Sequence, residues 1–501
     1  MRAKRIAYNS ITQFLNISVQ VIAGLILPRL ILSYFGSVYF GAVTSVTQFL
    51  GYITLLTAGV GGVTMAALYK PLAEYDIDRI SGIIRATEIF MRKVALIFIG
   101  ILIAIAALYP LIVSDDFEWL FVFTLTLILG CGTIISHFFG AAYSLLIQAD
   151  QRGYTISAVK TCTILLNTAA AAILILNGYE IRVVYLASTL IFAIDPLFIF
   201  WYTRHRYKLD RSVQPDNTAL KQRWDAFAHQ IIGFVSKNAP VVILTVFVGL
   251  LEVSVFAVYI MILNKITQII TSLAGSGTGA AIGNMLAKGE DKTAQKALRL
   301  FELLSNSFAV LLVACTSVLI VPFISVYTLG VDDVNYYKPI FAIIACVATL
   351  FNILSNPYLQ VIYSAGHFRQ TRNIALIEVG INIIISVISV QLLGLIGVVI
   401  GMLIAVVFRT VMFSRYVSQH IIKRSMWVFI RRTLVSILIS GVIFIVAQFL
   451  PEMAETTYIA WILYALQVFG IAVGVTTVLT VLFYRDEVQM LWEKVRSMVR
   501  G

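Results

Sequence analysis

The sequence predicts an all-α integral membrane protein, with 14 transmembrane helices forming two pseudo-symmetric six-helix bundles plus two C-terminal helices. Three observations predict it. Of the 501 residues, 60% are hydrophobic and only 12% charged, where a soluble chain carries about a quarter charged residues. Apolar stretches of about 20 residues recur from one end to the other, long enough to cross a ~30 Å hydrocarbon core as helices. When these stretches are threaded through a bilayer, 31 of the 37 Lys and Arg residues fall on one side. Such an excess marks cytoplasmic loops, so both termini are expected in the cytoplasm and the number of spans is even.

The spans are expected near 11–33, 39–69, 93–114, 118–149, 155–177, 182–203, 227–250, 253–286, 303–328, 339–364, 373–393, 395–419, 433–450 and 457–484. The first holds Asn16, Gln20 and Pro28 and is too long for a cleaved signal peptide. Outer connections such as Ser114–Phe117, Asn177–Glu180 and Gly330–Lys338 are short, and the outer side carries only Arg182 and Lys338 as basic residues. No connection reaches the ~40 residues that an independent core needs, so no separate catalytic domain is expected. Ile77, Ile80, Ile83 and Ile84 recur at helical spacing between polar residues, as do Val488, Leu491, Trp492, Val495 and Met498. Both patterns predict helices lying on the inner lipid surface.

The chain resembles itself at an offset of 216 residues. Phe40-Gly41-Ala42-Val43 falls on Phe256-Ala257-Val258-Tyr259, Ala58-Gly59-Val60-Gly61 on Ala274-Gly275-Ser276-Gly277, and Glu74 on Glu290. A duplication of six spans returns the second copy to the same orientation. It divides the chain into an N-terminal lobe (1–203), a cytoplasmic linker (204–226) containing Pro215-Asp216-Asn217, a second lobe (227–424), an extra helix pair (425–484) and an amphipathic tail (485–501). Two such bundles flanking a cavity can rock to open it alternately to each side.

The net charge of +12 is a topology signal rather than a sign of nucleic-acid binding, since no nucleic-acid recognition motif accompanies it. The sequence has no phosphate-cradling GxxxxGK[ST] loop, no HExxH and no catalytic triad pattern, so neither an enzyme nor a bound cofactor is expected. Cys131, Cys162, Cys315 and Cys346 have no CxxC spacing and read as small buried hydrophobes. His137 reads as a hydrogen-bonded packing residue.

Four basic residues lie within spans: Arg29, Lys237, Lys265 and Arg409. A charge at the bilayer centre costs about 2.5–3.5 kcal/mol on insertion scales, so such residues usually face a cavity or a partner. Lys237 lies about ten residues, or ~15 Å, into its span, and Lys265 is similarly deep beside Asn264. Arg29, next to Pro28, has outward snorkelling as a rival reading, and Arg409, two turns from Arg415, has inward snorkelling. Asp195 and Glu378 are the acids facing them; capping or interfacial solvation accounts for both. The interior therefore leans cationic, which suits an anion such as phosphate. Asn238, Asn264 and other amides in the spans can meet sugar hydroxyls or bond neighbouring helices.

Asn9, Pro28, Tyr34-Phe35-Gly36, Tyr39-Phe40-Gly41 and Ala58-Gly59-Val60-Gly61, in that order, resemble the start of the polysaccharide-transporter (Wzx-type) branch of the multidrug/oligosaccharidyl-lipid/polysaccharide (MOP) flippase superfamily. The resemblance implies a multi-pass protein of the bacterial inner (plasma) membrane. It implies a flippase that moves a polyprenyl-diphosphate-linked oligosaccharide from the inner to the outer leaflet, among membrane lipids and alongside glycosyltransferases and a polysaccharide polymerase. Basic residues of the first and eighth helices line the cavity of related flippases, and Arg29 and Lys265 occupy comparable helices. Two other readings stay open: an ion-coupled multidrug antiporter of the same superfamily, against which the absence of Asp and Glu from span one speaks, and a non-transporting scaffold for envelope synthesis.

Overall fold

The computed structural model describes residues 2–57, 60–114, 116–210, 212–216, 223–275, 278–451, 453 and 455–500. Ala58, Gly59, Ser276, Gly277 and Asn217, which figure in the expected repeat and linker, lie outside the described residues. Every regular element among the described residues is helical. Among the described residues, twelve helices are long and apolar enough to cross a membrane. The protein is a multi-pass membrane protein, and its surface says so. Leu165, Leu166, Ile173 and Leu176 on one helix are all more than half exposed, as a surface facing lipid allows.

The chain forms two compact units, Met1–Ser254 and Val255–Gly501. The first begins with α1 (Arg2–Phe35), α2 (Ser37–Thr54), α3 (Val60–Glu74) and α4 (Ile77–Ile112). It continues through α5 (Trp119–Ile135), a π-turn at Ser136–Gly140, and α6 (Ala141–Ala149). Then come α7 (Gly153–Leu176), α8 (Ile181–Tyr207) and α9 (Arg223–Phe247), with the start of α10 (Leu250–Gly275). The second unit holds the rest of α10, followed by α11 (Thr278–Ala287), α12 (Asp291–Tyr327), α13 (Pro339–Leu354), α14 (Asn356–Ser364) and α15 (Phe368–Leu393). It ends with α16 (Leu395–Tyr416), α17 (Trp427–Ala447), α18 (Tyr458–Phe483) and α19 (Arg485–Arg500).

Of the spans expected from sequence, the second and seventh are not among the twelve. The second is divided between α2 and α3 by a 3₁₀ turn at Leu55–Thr57, and the apolar part of the seventh is Gly233–Phe247. The helix starts recur at nearly the expected offset. Ile77 and Asp291 open α4 and α12, Gly153 and Phe368 open α7 and α15, and Ile181 and Leu395 open α8 and α16. The interruptions recur too: the π-turn ends at Gly140, and α13 breaks from α14 at Ser355.

In the first unit, α1 is stitched to α7 by amides. Asn9 donates to the Gln151 carbonyl (3.0 Å) and accepts from the Tyr154 amide (2.6 Å), and Asn16 donates to the Thr161 hydroxyl (3.0 Å). These Asn residues bond helices. Helix α9, expected to open the second lobe, packs in the first unit through the Ser45–Thr245 hydroxyl pair (2.7 Å) and the edge-on rings of Tyr52 and Phe234. Gly41 admits the start of α10 to α2, since a Cβ there would collide with the Leu250 carbonyl.

Two expectations need correction. Ile80, Ile83 and Ile84 do not lie on the lipid surface. They are buried against Leu68, Leu146 and Ile147, because their stretch is the first two turns of the 36-residue helix α4 rather than a separate surface helix. The stretch expected as the linker bonds to α4: Arg85 donates to the Val213 carbonyl (2.6 Å), and the Asp216 amide to the Gly82 carbonyl (3.0 Å). Cys131 and Cys162 are exposed, and only Cys315 and Cys346 are buried. A thiol is apolar enough to face lipid, so burial is not required. His137 does pack as expected, with Nδ1 2.8 Å from the Thr133 carbonyl and its ring stacked on Phe98.

In the second unit, α15 and α16 form a tight antiparallel pair across Gly394, whose φ of +53° few side chains adopt. Gly397 and Gly401 let α16 lie directly on α15, since a Cβ at either would collide with Ser389 or Ser386.

Candidate functional site

The four basic residues expected within spans occupy four helices: Arg29 on α1, Lys237 on α9, Lys265 on α10 and Arg409 on α16. Their surroundings divide them. Arg29 is half-buried and engaged by its neighbours. Lys237 is exposed and makes no ion pair among the described residues. The amide of Asn238 beside it bonds back to its own helix at the Phe234 carbonyl (2.8 Å).

Lys265 is half-buried and also has no carboxylate partner among the described residues. Its helix supplies its setting. Towards the N-terminal end of α10, Val253, Val255, Phe256, Val258 and Tyr259 are buried, whereas Asn264 is exposed and Thr267, Gln268 and Thr271 are half-exposed. Residues 264, 268 and 271 share one face by helical spacing, so a polar strip runs along an otherwise apolar helix with Lys265 at its edge. The Thr267 and Thr271 hydroxyls bond the Leu263 and Thr267 carbonyls of the same helix (both 2.9 Å). Each hydroxyl oxygen keeps acceptor capacity for another group. The two threonines were not singled out from sequence, although their spacing from Asn264 was visible there.

Arg409 is different. Its Nη1 donates to Glu378 Oε1 at 2.8 Å, and its Nη2 donates to Asn352 Oδ1 at 2.6 Å and more distantly to the Ser355 hydroxyl at 3.4 Å. Glu378 is only 3% exposed. This corrects the interfacial reading of Glu378: it is a buried counter-ion, held against Arg409 by the close α15–α16 packing. Asp195, the other acid, is half-buried on α8 and accepts from the Thr163 hydroxyl of α7 (2.9 Å).

A second charged cluster escaped the sequence reading. Glu302, 1% exposed near the start of α12, accepts from both terminal nitrogens of Arg424 and lies 3.6 Å from Arg432 Nε. Arg432 also donates to Glu487 of α19 (3.1 Å) and to the Arg299 carbonyl (3.2 Å). Burial opposes the charge on Arg424, but the Glu302 carboxylate outweighs it and raises the guanidinium pKa above its ordinary value. Arg424 and Arg432 looked like ordinary loop arginines because their partner is over a hundred residues away.

No family model and no curated protein matches the chain. Solved structures do. Lipid II flippase MurJ in an inward closed conformation superposes with a TM-score of 0.68 at 15% identity, over 96% of this chain and 99% of that one. An inward-facing multidrug resistance MATE family transporter gives 0.65 at 16%, over 81% and 98%. A MOP superfamily transporter from Pyrococcus furiosus, described as having a binding pocket of reverse polarity, gives 0.59 at 17%, over 84% and 97%. The chain has a MOP-like fold. In this MOP-like fold, Lys237 and Lys265, without a carboxylate partner among the described residues, and the paired Arg409 are features of the chain itself. At these identities the likeness extends to the fold alone.

Proposed function

We propose that this protein is a flippase that carries a polyprenyl-diphosphate-linked oligosaccharide across the bacterial inner membrane by alternating access, for assembly of a cell-envelope polysaccharide. In this reading the chain crosses the membrane fourteen times, with both termini in the cytoplasm, as the one-sided distribution of its basic residues requires, and its two six-helix halves arose by duplication. The carrying observation is the polar strip on α10 with Lys265 beside it. A cation without a carboxylate partner, set in an apolar helix among hydroxyls and amides, can pair with a diphosphate while the neighbouring polar groups meet sugar hydroxyls. Lys237 offers a second such cation, and Arg29 a third basic group.

The experiment is transbilayer movement of a fluorescent polyprenyl-diphosphate sugar in proteoliposomes. The expected outcome is rapid movement by the wild-type protein and at least a tenfold slower rate when Lys237→Gln and Lys265→Gln are combined. An unchanged rate in the double variant would refute the assignment of these residues. A wild-type protein that moves no lipid-linked sugar would refute the substrate.

Asp195 favours a second reading, an ion-coupled multidrug antiporter. A half-buried carboxylate bonded to a hydroxyl between two helices can take up a cation or proton. That reading requires drug efflux driven by a sodium or proton gradient in the same vesicles, abolished by Asp195→Asn. A non-transporting scaffold requires that neither flux be observed.

A further inference from the structure

We infer that the first unit carries a binding site for the phosphate headgroup of an anionic glycerophospholipid, distinct from the transport residues and independent of the transport reading. The site is a cavity of about 260 Å³ between the N-terminal half of α4, the end of α8 and the segment that follows it. Its polar lining is Ser81, Arg85, Glu88, Arg92, Arg204 and Asp210.

The charges in the cavity are arranged for a monoanion. Arg92 is held by Glu88 at 2.5 Å, one turn away on α4. Both oxygens of Asp210 are turned to Ser212, accepting from its amide (2.7 Å) and its hydroxyl (2.8 Å), while the Asp210 amide donates to Ser81 (3.0 Å). The two acids are thus occupied, Arg85 donates to the Val213 carbonyl, and Arg204 completes the basic lining. Arg204 lies over the Phe200 ring at 4.9 Å and has no carboxylate partner among the described residues. The lining therefore keeps one net positive charge, which matches a phosphodiester better than a diphosphate.

The rim points to a lipid as the source of that phosphate. Ile89, which lines the cavity, is 39% exposed, and Trp201, one turn before Arg204, is 56% exposed. Ile89 gives the cavity an apolar edge for an acyl chain, and an exposed Trp on the same helix as Arg204, one turn away, is the pattern of a membrane–water interface. Basic pockets between helices at that depth hold lipid headgroups.

The test is native mass spectrometry of the full-length protein titrated with phosphatidylglycerol or phosphatidylcholine. The wild type is expected to retain one phosphatidylglycerol in preference to phosphatidylcholine. Arg204→Gln, which keeps a polar stem near Phe200, should weaken that retention about fivefold, and adding Arg92→Gln should weaken it further, since each basic residue near an anionic lipid contributes on that scale. Arg206→Gln with Lys208→Gln, at the same end of α8 but outside the cavity, should change it less than twofold. Equal retention of the two lipids by the wild type would overturn the site, as would equal losses in the cavity and control variants. If inorganic phosphate displaces phosphatidylglycerol and raises the melting temperature as much, the ligand is a soluble phosphate and the lipid assignment fails. If the cavity variants do not fold, the wild-type comparison of the two lipids and phosphate decides alone.

Discussion

Arg409 and Lys265 are both basic residues within apolar helices of the second unit, and their neighbours give them opposite characters. Arg409 is bonded to a buried carboxylate, an amide oxygen and a hydroxyl. Lys265 is half-buried beside a strip of amides and hydroxyls with no carboxylate partner among the described residues. A charge in a membrane helix needs compensation. Where the fold supplies it, the charge is part of the architecture; where it does not, the proposed function assigns the charge to a ligand.

The cluster at Glu302 is the extreme of the compensated case, and breaking it should have the largest effect. Glu302→Ala leaves two buried guanidiniums without their shared acid and is expected to lower stability by about 3–5 kcal/mol, read as a fall in detergent melting temperature. The same variant should free α19, whose Glu487 meets the cluster through Arg432, and make the C-terminal helix more sensitive to protease.

Arg409→Ala should cost less, about 1.5–3 kcal/mol for the charged hydrogen bonds it removes. Arg409→Met combined with Glu378→Gln should recover part of that loss, because replacing a pair is milder than orphaning one member. If the double variant were less stable than the sum of the single ones, the pair would not be the unit of compensation.

Gly401→Leu tests whether helix proximity creates the pair. A side chain there must push α16 away from Ser386 on α15. A loss of about 1–3 kcal/mol is expected from the overpacking alone, measured by thermal unfolding.

Lys265→Gln should change stability by no more than about 0.5 kcal/mol, the range for sites without a compensating partner to lose, while lipid-linked sugar movement falls. A large stability loss would place Lys265 with Arg409 on the architectural side. The smallest effect is expected at Asp210, an exposed acid outside the spans. The Ser212 amide and hydroxyl hold its pKa below the ordinary carboxylate value. Its folded pKa is the lower one, so its contribution is present above the ordinary pKa of about 4 and fades as pH falls through the depressed value. Asp210→Asn should therefore flatten the melting-temperature profile only at the acid end.

Much of the fold was legible because membrane insertion is governed by quantities that one dimension records. Span length, apolar content and the side bias of Arg and Lys are sums along the chain, and they gave most helices within a few residues. The offset seen in the motifs recurs in the starts of α4 and α12, α7 and α15, and α8 and α16. Helix periodicity alone does not fix a helix's surroundings. Ile80, Ile83 and Ile84 show the same pattern whether they face lipid or protein, and only Leu68, Leu146 and Ile147 opposite them settle it.

By itself, then, the sequence determined an all-helical membrane protein, its helix order and which basic residues sit in apolar surroundings, because hydrophobic length and local charge are properties of contiguous chain. Tertiary structure alone decided which of those charges are neutralised. Glu378 reaches Arg409 across 31 positions and Glu302 reaches Arg424 across 122, and electrostatic compensation depends on distance through space, which sequence separation does not encode.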